Sequence, residues 1–175
     1  MKHPREHYGL SIVLGGAEAS AEDLARLYGT LGNGGLLRPL VRLPDEEPAA
    51  ARQMLSPESA WIVRRMLAEG GEALKVEGVS VPLLWKTGTS NGFRDAWTAG
   101  YAGRYIIVVW LGNFNGRPDP WLQGALVAQP VFRSAAVRLL TDREFAMSAQ
   151  DVKRFDEQPA GVRSEPVCRS TGDLA

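Results

Sequence analysis

The chain has 175 residues, of which 45% are hydrophobic, and this is enough for one domain to bury a sizeable core. Twenty basic residues balance twenty acidic ones, so no overall field attracts nucleic acid or an anionic membrane surface, and we predict no nucleic-acid partner. The longest apolar run, at 105–111, has the length of a buried strand rather than of a membrane span, and the first residues lack the apolar centre of an export signal.

No metal site and no cofactor are predicted. Cys168 is the only cysteine, which excludes an internal disulfide and a thiolate metal cluster. His3 and His7 lie in a polar N-terminal segment without a cysteine or an acidic cluster to complete a metal site. We therefore expect both histidines to be solvated.

The first predicted helix lies at 19–35. Ser20 suits the N-cap, acidic residues follow in the first turn, and the apolar residues after them recur on one face. We interpret the glycine-rich stretch at 32–35 as the helix C-cap and a turn, rather than as a ligand-binding loop.

A short strand pair is predicted at 36–43, where apolar residues flank Pro39 and the proline interrupts the ladder. The acidic, proline-containing stretch at 44–50 is predicted to be an exposed connector.

The second predicted helix lies at 56–71. Ser56 suits the N-cap and Pro57 the first helical position, and a pair of glycines ends the periodic pattern. We expect Trp61 and Met66 to be core residues rather than cofactor contacts, because they belong to the apolar face of this helix.

An antiparallel meander follows, because three strand patterns succeed one another with a tight turn at 102–104 between the last two. The three strands are predicted at 79–90, 95–102 and 105–112. A further helix is predicted at 123–140, where Pro130 should start, kink or break it. We therefore predict an α+β fold in which an antiparallel sheet is flanked by helices.

The tail at 141–175 is polar, contains Pro159 and Pro166, and has no strong period. We expect a linker that leads into a further domain, and hence one domain over 1–140 with a boundary after it.

One motif carries the functional argument: the sequence WKTGTSNGFRDAW at 85–97. Apolar and β-branched residues precede Lys86, so the lysine is predicted to lie on a strand rather than in a phosphate-binding loop. On a strand, Thr87 and Thr89 project to one face, and Lys86 and Gly88 project to the other. Two hydroxyls, a nearby ammonium and a glycine that admits a ligand to the backbone suit the carboxylate of a peptide.

The residues around the motif have simpler interpretations. We expect Arg94 and Asp95 to form a pair that stabilises the turn, and Trp97 to lie in the core under the site, in preference to contacting a substrate. The alternative for Lys86 is a partly buried lysine that is paired with an acidic residue.

The same stretch resembles the KTG motif of the penicillin-recognising serine transpeptidases, whose signature set is SxxK, SxN and KTG. With its flanks, YGLSIVLGGAEASAEDLARLYGTLGNGG upstream and GYAGRYIIVVWLGNFNGRP downstream, it resembles bifunctional class A penicillin-binding proteins, nearest to the one-C type. The resemblance runs from about residue 8 to residue 140. It implies part of the serine-transpeptidase or β-lactamase-like fold, namely the C-terminal half of the transpeptidase domain.

The resemblance also implies roles for individual residues. Lys86 would hold positive potential near the substrate carboxylate, which the hydroxyls of Thr87 and Thr89 would bind. The backbone N–H of Thr89 would be one of two oxyanion donors. Gly88 and Ser90 would complete the substrate-binding strand, with the substrate lying along it as an added β-strand.

Partners and location follow from the resemblance as well. The complete domain would bind peptidoglycan stem peptides that end in D-Ala-D-Ala, and β-lactams that imitate them. It would work at the periplasmic face of the inner membrane, with the membrane reached only through an N-terminal anchor of the parent protein.

The chain departs from the family pattern, because it contains neither an SxxK nor an SxN sequence. We therefore expect the nucleophile to lie outside this chain, and the chain by itself to be inactive in transpeptidation and in stable acylation by penicillin. Two alternatives stay open: a non-catalytic module that binds cell-wall peptide or a partner protein, and a relative of the β-lactamases. The RDAW sequence and the long tail favour the biosynthetic branch over the second alternative.

Overall fold

The computed structural model describes residues 5–68, 70–168 and 170–171. The helices are α1 (Arg5–Tyr8), α2 (Ala21–Gly32), α3 (Pro57–Ala68), α4 (Gln129–Thr141) and α5 (Ala149–Phe155), with a 3₁₀ helix at Gly9–Leu14 and a π-helix at Gly124–Ala128. The strands are β1 (Leu36–Leu37), β2 (Arg52–Gln53), β3 (Glu72–Val76), β4 (Val79–Thr89), β5 (Asp95–Ala102) and β6 (Tyr105–Gly112). The predicted α+β class is confirmed.

The two predicted amphipathic helices begin at the predicted caps. The Ser20 hydroxyl accepts the amide N–H of Asp23 at 3.1 Å, and the Asp23 carboxylate accepts the Ser20 amide at 3.0 Å, which is a capping box. At α3 the Ser56 hydroxyl accepts the amide of Ser59 at 3.2 Å. These local bonds satisfy N–H groups that a helix leaves unpaired at its first turn.

The expectation that both Trp61 and Met66 lie in the core is wrong for Met66, whose side chain is exposed. Trp61 is half-buried, and its indole N–H donates to the carbonyl of Asp156 at 3.4 Å. The apolar face of α3 is wider than the surface that covers it, so its outer residues stay in solvent.

The four-stranded sheet has the order β3-β4-β5-β6 and is antiparallel throughout. The three predicted strands and the turn before β6 are confirmed. Strand β3 was not predicted, because the turn that joins it to β4 is Glu77-Gly78 instead of the usual Asn-Gly or Asp-Gly. Both turn residues have positive φ, 49° and 85°, as a two-residue hairpin turn requires.

The strand pair expected within 36–43 is different in the structure. Leu36–Leu37 pairs with Arg52–Gln53, and the segment between the two strands is irregular. Pro39 lacks the N–H that a longer ladder would need, so β1 ends before it. The connector at 44–50 is exposed, as predicted.

One face of the sheet packs on α4 and forms a hydrophobic core. Its buried members are Val81, Leu83, Ala102, Ala136, Leu140 and Met147. Phe132 of α4 is fully buried, and its ring lies 5.8 Å from that of Trp85 on β4. Pro130 is the second residue of α4, directly after the π-helix, so the prediction that this proline starts, kinks or breaks the helix is confirmed.

The tail expected to be a linker is ordered over its first part. Met147 is buried, the Ser148 hydroxyl caps α5, and the Phe155 carbonyl accepts a hydrogen bond of 2.6 Å from the Arg64 guanidinium. Packing against the sheet and α3 therefore continues to about Asp156, beyond the expected linker start at 141. The position of the domain boundary stays a prediction.

Within residues 5–68, 70–168 and 170–171, the structure contains neither a membrane helix nor a metal cluster. No helix there is both long enough and apolar enough to cross a membrane. No group of three or more His, Cys, Asp or Glu side chains is placed to hold a metal ion.

The other face of the sheet carries a buried tyrosine that predicts an alkaline loss of stability. The Tyr101 hydroxyl donates to the Tyr28 carbonyl at 2.5 Å, and burial raises the pKa of Tyr101 well above its ordinary value of 10.0. Because an unfolded chain releases this proton near pH 10 and the folded chain does not, stability should be complete below pH 10 and fall as the pH rises beyond it.

We therefore expect Tyr101→Phe to weaken the pH dependence above pH 10, although it costs about 1 kcal/mol at neutral pH through the lost hydrogen bond. Urea unfolding at pH 8 and at pH 11 would measure both effects. Equal pH slopes for the wild type and the variant would exclude Tyr101 as the group responsible.

Candidate functional site

The motif predicted to carry function lies on the second half of β4, and this half has one open edge. β5 pairs with β4 from Leu83 to Thr89, whereas β3 pairs only with Val79–Leu83, since its register begins with Glu72 opposite Leu83. In the part of the chain that the structure describes, no strand pairs with the outer edge of 84–89. This edge is open to an added strand.

The backbone groups that face the open edge follow from the hydrogen-bond alternation of an antiparallel ladder. Two bonds to the β5 side, each of 2.9 Å, set this alternation: Gly103 N to Pro82 O, and Ser90 N to Asp95 O. The even-numbered residues of β4 therefore direct their N–H and C=O groups toward β5. The odd-numbered residues Trp85, Thr87 and Thr89 direct theirs toward the open edge.

The side chains of the motif alternate between the two faces, as predicted for a strand. Thr87 and Thr89 share the face that packs on α4, while Lys86 and Gly88 share the opposite face. Lys86 is exposed, and its ammonium donates to the Thr87 carbonyl at 3.0 Å. No ion pair of Lys86 occurs among the described residues, which counts against the alternative of a buried lysine paired with an acid.

The Thr89 hydroxyl is oriented by a contact that the sequence did not predict. It accepts the amide N–H of Gly124 at 3.0 Å, at the start of the π-helix. A Cβ at Gly124 would lie 2.4 Å from the Gly88 carbonyl oxygen and 2.6 Å from that of Trp97. Only a glycine permits this approach of the π-helix to the strand, and the Thr89 O–H remains available as a donor.

Ser90 closes the turn after the motif. Its hydroxyl oxygen accepts the backbone amides of Arg94 at 3.2 Å and Asp95 at 2.8 Å. The structure thus gives Ser90 a loop-closing role, and its predicted contact with substrate stays a prediction.

Asp95 and Trp97 have partners on β6. The Asp95 carboxylate accepts the indole N–H of Trp110 at 2.9 Å, and the described residues include no ion pair between Asp95 and Arg94. Trp97 is half-buried, with its ring 6.2 Å from that of Trp110, and lies opposite Gly88 in the register. Trp97 therefore lies beside the motif on the Lys86 face, rather than underneath it.

A loop at 113–123 passes over this end of the sheet. It leaves β6 at Gly112, which pairs with Asp95, and its Asp119 amide donates to the Phe93 carbonyl at 2.9 Å. It then returns to β4 through the bond between Gly124 and Thr89. The loop thus borders the end of the strand that carries the motif.

The fold and the motif strand together define a class of protein. The chain superposes on penicillin-binding protein 1A of Haemophilus influenzae, in a crystal structure, with a TM-score of 0.74 and 19% identity, over 99% of this chain and 33% of that one. No family model matches the chain. With the sequence relatives, this likeness makes the chain a homologue of a section of the class A penicillin-binding proteins.

Particular relatives support this assignment. The chain is 35% identical to penicillin-binding protein 1C of Escherichia coli K12 over 161 residues, which cover 91% of this chain and 20% of that protein. It is 30% identical to penicillin-binding protein 1B of Vibrio cholerae over 137 residues, covering 70% of this chain and 18% of that protein. The chain thus spans about a fifth of the length of the curated relatives that it matches.

Proposed function

We propose that this chain supplies the carboxylate- and oxyanion-binding strand of a peptidoglycan D,D-transpeptidase of cell-wall synthesis. The observation that carries the proposal is the open edge of β4, where the N–H groups of Thr87 and Thr89 face outward beside the exposed ammonium of Lys86. An extended peptide can add to such an edge as a further antiparallel strand, with main-chain hydrogen bonds supplying affinity.

The side chains suit the D-Ala-D-Ala end of a stem peptide. The hydroxyls of Thr87, Thr89 and Ser90 are available to donate hydrogen bonds to its terminal carboxylate, and Lys86 supplies the positive charge. The backbone N–H of Thr89 is an oxyanion donor in this proposal, a kind of contact whose loss costs about 3 kcal/mol of transition-state stabilisation. Gly88 leaves the strand surface free of a side chain.

The proposed reaction is acyl transfer. A serine outside this chain attacks the carbonyl between the two D-alanines, the terminal D-alanine leaves, and the amine of another stem peptide resolves the acyl-enzyme into a crosslink. A β-lactam would occupy the same edge as a substrate mimic. The activity, the stem-peptide and β-lactam partners and the periplasmic location are proposals drawn from the relatives, of which the chain spans about a fifth.

A second candidate, a non-catalytic module that binds cell-wall peptide, has one observation in its favour. The chain contains neither SxxK nor SxN, so its open strand edge would bind peptide without forming a covalent intermediate. For the 175-residue chain alone, both candidates predict peptide binding and no acylation. They differ only when the missing motifs are supplied in a second polypeptide.

We expect Lys86→Ala to weaken binding of a short peptide that ends in D-Ala-D-Ala by about tenfold, because a hydrogen bond to a charged group is worth about 1.5 kcal/mol. Chemical-shift titration would measure the affinities of both proteins. Lys75→Ala is the matched control, since Lys75 is also an exposed lysine on a strand but lies on β3.

Equal affinities of the two lysine variants would contradict the proposed site. Fluorescent penicillin should leave no covalent band on the chain alone. A transpeptidase would gain such a band on the serine-bearing polypeptide when the two are mixed, whereas a binding module would not.

A further inference from the structure

The exposed aromatic side chains of the molecule are concentrated at one end of the sheet. Phe93 is 42% exposed, Phe114 99% and Trp121 74%, and they are the aromatic members among the exposed large hydrophobic residues of the described chain. Scattered apolar residues are ordinary on a protein surface. Here, however, three aromatic rings are grouped on two adjoining loops, the turn after the motif and the loop at 113–123. We call these three residues the aromatic rim.

The aromatic rim is held by a hydrogen-bonded scaffold. Bonds within the loop at 113–123 are Asn113 Nδ2 to Arg117 O at 2.8 Å, Arg117 N to Asn115 Oδ1 at 3.0 Å, and Trp121 N to Asp119 Oδ1 at 3.0 Å. The Asp119 amide joins this loop to the Phe93 carbonyl, and the Phe114 ring lies 5.3 Å from that of Trp110. The backbone that carries the rings is therefore held in place, which lowers the entropic cost of ordering this loop when a ligand binds.

Phe93 is presented in an unusual backbone conformation. Its φ is +55°, in the left-handed region that bulky side chains rarely adopt. The Phe93 amide donates to the Ser90 carbonyl at 3.1 Å, and the Phe93 carbonyl accepts from Asp119, so both sides of the residue are constrained. The fold thus keeps an aromatic side chain exposed at a position that would otherwise favour glycine.

The polar residues between the rings indicate what the aromatic rim would bind. Arg94, Asn115 and Arg117 are exposed beside it and offer hydrogen-bond donors. An apolar chain would need a continuous groove, whereas a sugar ring presents an apolar C–H face to an aromatic ring and polar groups around its perimeter. Aromatic rings with amide and guanidinium groups between them therefore suit a sugar ring better than an apolar chain.

We propose that the aromatic rim binds N-acetylated sugar rings of the cell-wall glycan, next to the strand edge that takes the stem peptide. This rests on the proposed function, because the glycan and the peptide would belong to one polymer. The loop connects the two positions: its Asp119 is bonded to Phe93 at the rim, and Gly124, the residue that follows the loop, is bonded to Thr89 on the strand. A glycan on the rim would hold its stem peptide near the open edge of β4.

The test uses the 175-residue chain and a soluble β-1,4-linked hexamer of N-acetylglucosamine, a probe that contains no peptide. We expect saturable binding by the wild type and at least tenfold weaker binding by the double variant Phe114→Ala, Trp121→Ala. The matched control is the double variant Leu10→Ala, Leu14→Ala, which removes two side chains that are 89% and 91% exposed outside the rim. Chemical-shift perturbation would report the affinities, and also whether the shifts fall on 93 and 113–121.

The proposal is overturned if the hexamer does not bind the wild type, if both double variants bind it equally, or if the shifts lie elsewhere. It is also overturned if a stem peptide without sugar occupies the rim and the hexamer does not. Because the hexamer lacks peptide, its failure to bind would leave the proposed peptide site standing. Loss of peptide binding with retained hexamer binding would contradict the proposed peptide site and leave the glycan site standing.

Discussion

Phe132→Ala should lower the free energy of unfolding by about 3–5 kcal/mol, the range found when a large buried aromatic side chain is removed. Phe132 is 0% exposed and lies between α4 and the sheet, with its ring 5.8 Å from that of Trp85. Removing it leaves a cavity under the residue that precedes Lys86, since close-packed neighbours relax only in part. Urea unfolding of the variant and the wild type would measure the loss.

Val131→Ala is the control for this prediction, because Val131 is the neighbouring residue on α4 and is 46% exposed. We expect it to change stability by less than about 0.5 kcal/mol, as surface substitutions usually do. A similar loss in both variants would mean that α4 does not pack on the sheet through Phe132.

Gly124→Ala should destabilise the chain by about 2–3 kcal/mol, since overpacking a close contact has a cost of this size. The added Cβ would lie 2.4 Å from the Gly88 carbonyl oxygen, so the π-helix must move away from β4. Helix propensity alone predicts the opposite sign, because alanine is favoured over glycine in a helix by about 1 kcal/mol. The sign of the change therefore distinguishes tertiary contact from local preference.

The same substitution should also weaken ligand binding at the candidate site. Moving Gly124 breaks its hydrogen bond to the Thr89 hydroxyl, so we expect weaker binding of the D-Ala-D-Ala peptide as well. Thermal or urea unfolding and a peptide titration would measure the two effects. Gly70→Ala adds the same methyl group where nothing lies within 4 Å, and it should leave both properties unchanged. A stable Gly124→Ala variant with normal peptide affinity would show that the close approach is unimportant.

The candidate site divides into parts that are local in sequence and parts that are not. Lys86, Thr87, Gly88 and Thr89 alternate across a strand, and this could be predicted because neighbouring residues on a strand face opposite sides whatever surrounds it. The open edge could not be predicted, because it depends on where β3 stops pairing, opposite Leu83. The orientation of the Thr89 hydroxyl depends on Gly124, 35 residues further along the chain.

Some signals for the missed features were nevertheless present. A glycine directly before an apolar helical segment, as in Gln123-Gly124-Ala125, is compatible with close approach to a neighbouring backbone. The stretch at 113–121 has two aromatic residues, Phe114 and Trp121, among polar and turn-forming residues, as exposed loops often do, but only the bond between Asp119 and Phe93 places it beside the motif strand. The packing of α5 was missed because seven residues are too few to display a helical period.

By itself the sequence determined the features that arise from neighbouring residues: the caps of α2 and α3, the strands of the meander, the position of Pro130 in α4, and a lysine on a strand between hydroxyls. These follow from hydrogen bonds and side-chain directions that repeat within a few residues. Only the tertiary structure decided which strand edge is open, which glycine touches the motif, and which apolar residues stay exposed. Those depend on contacts between distant parts of the chain, and local preferences do not specify such contacts.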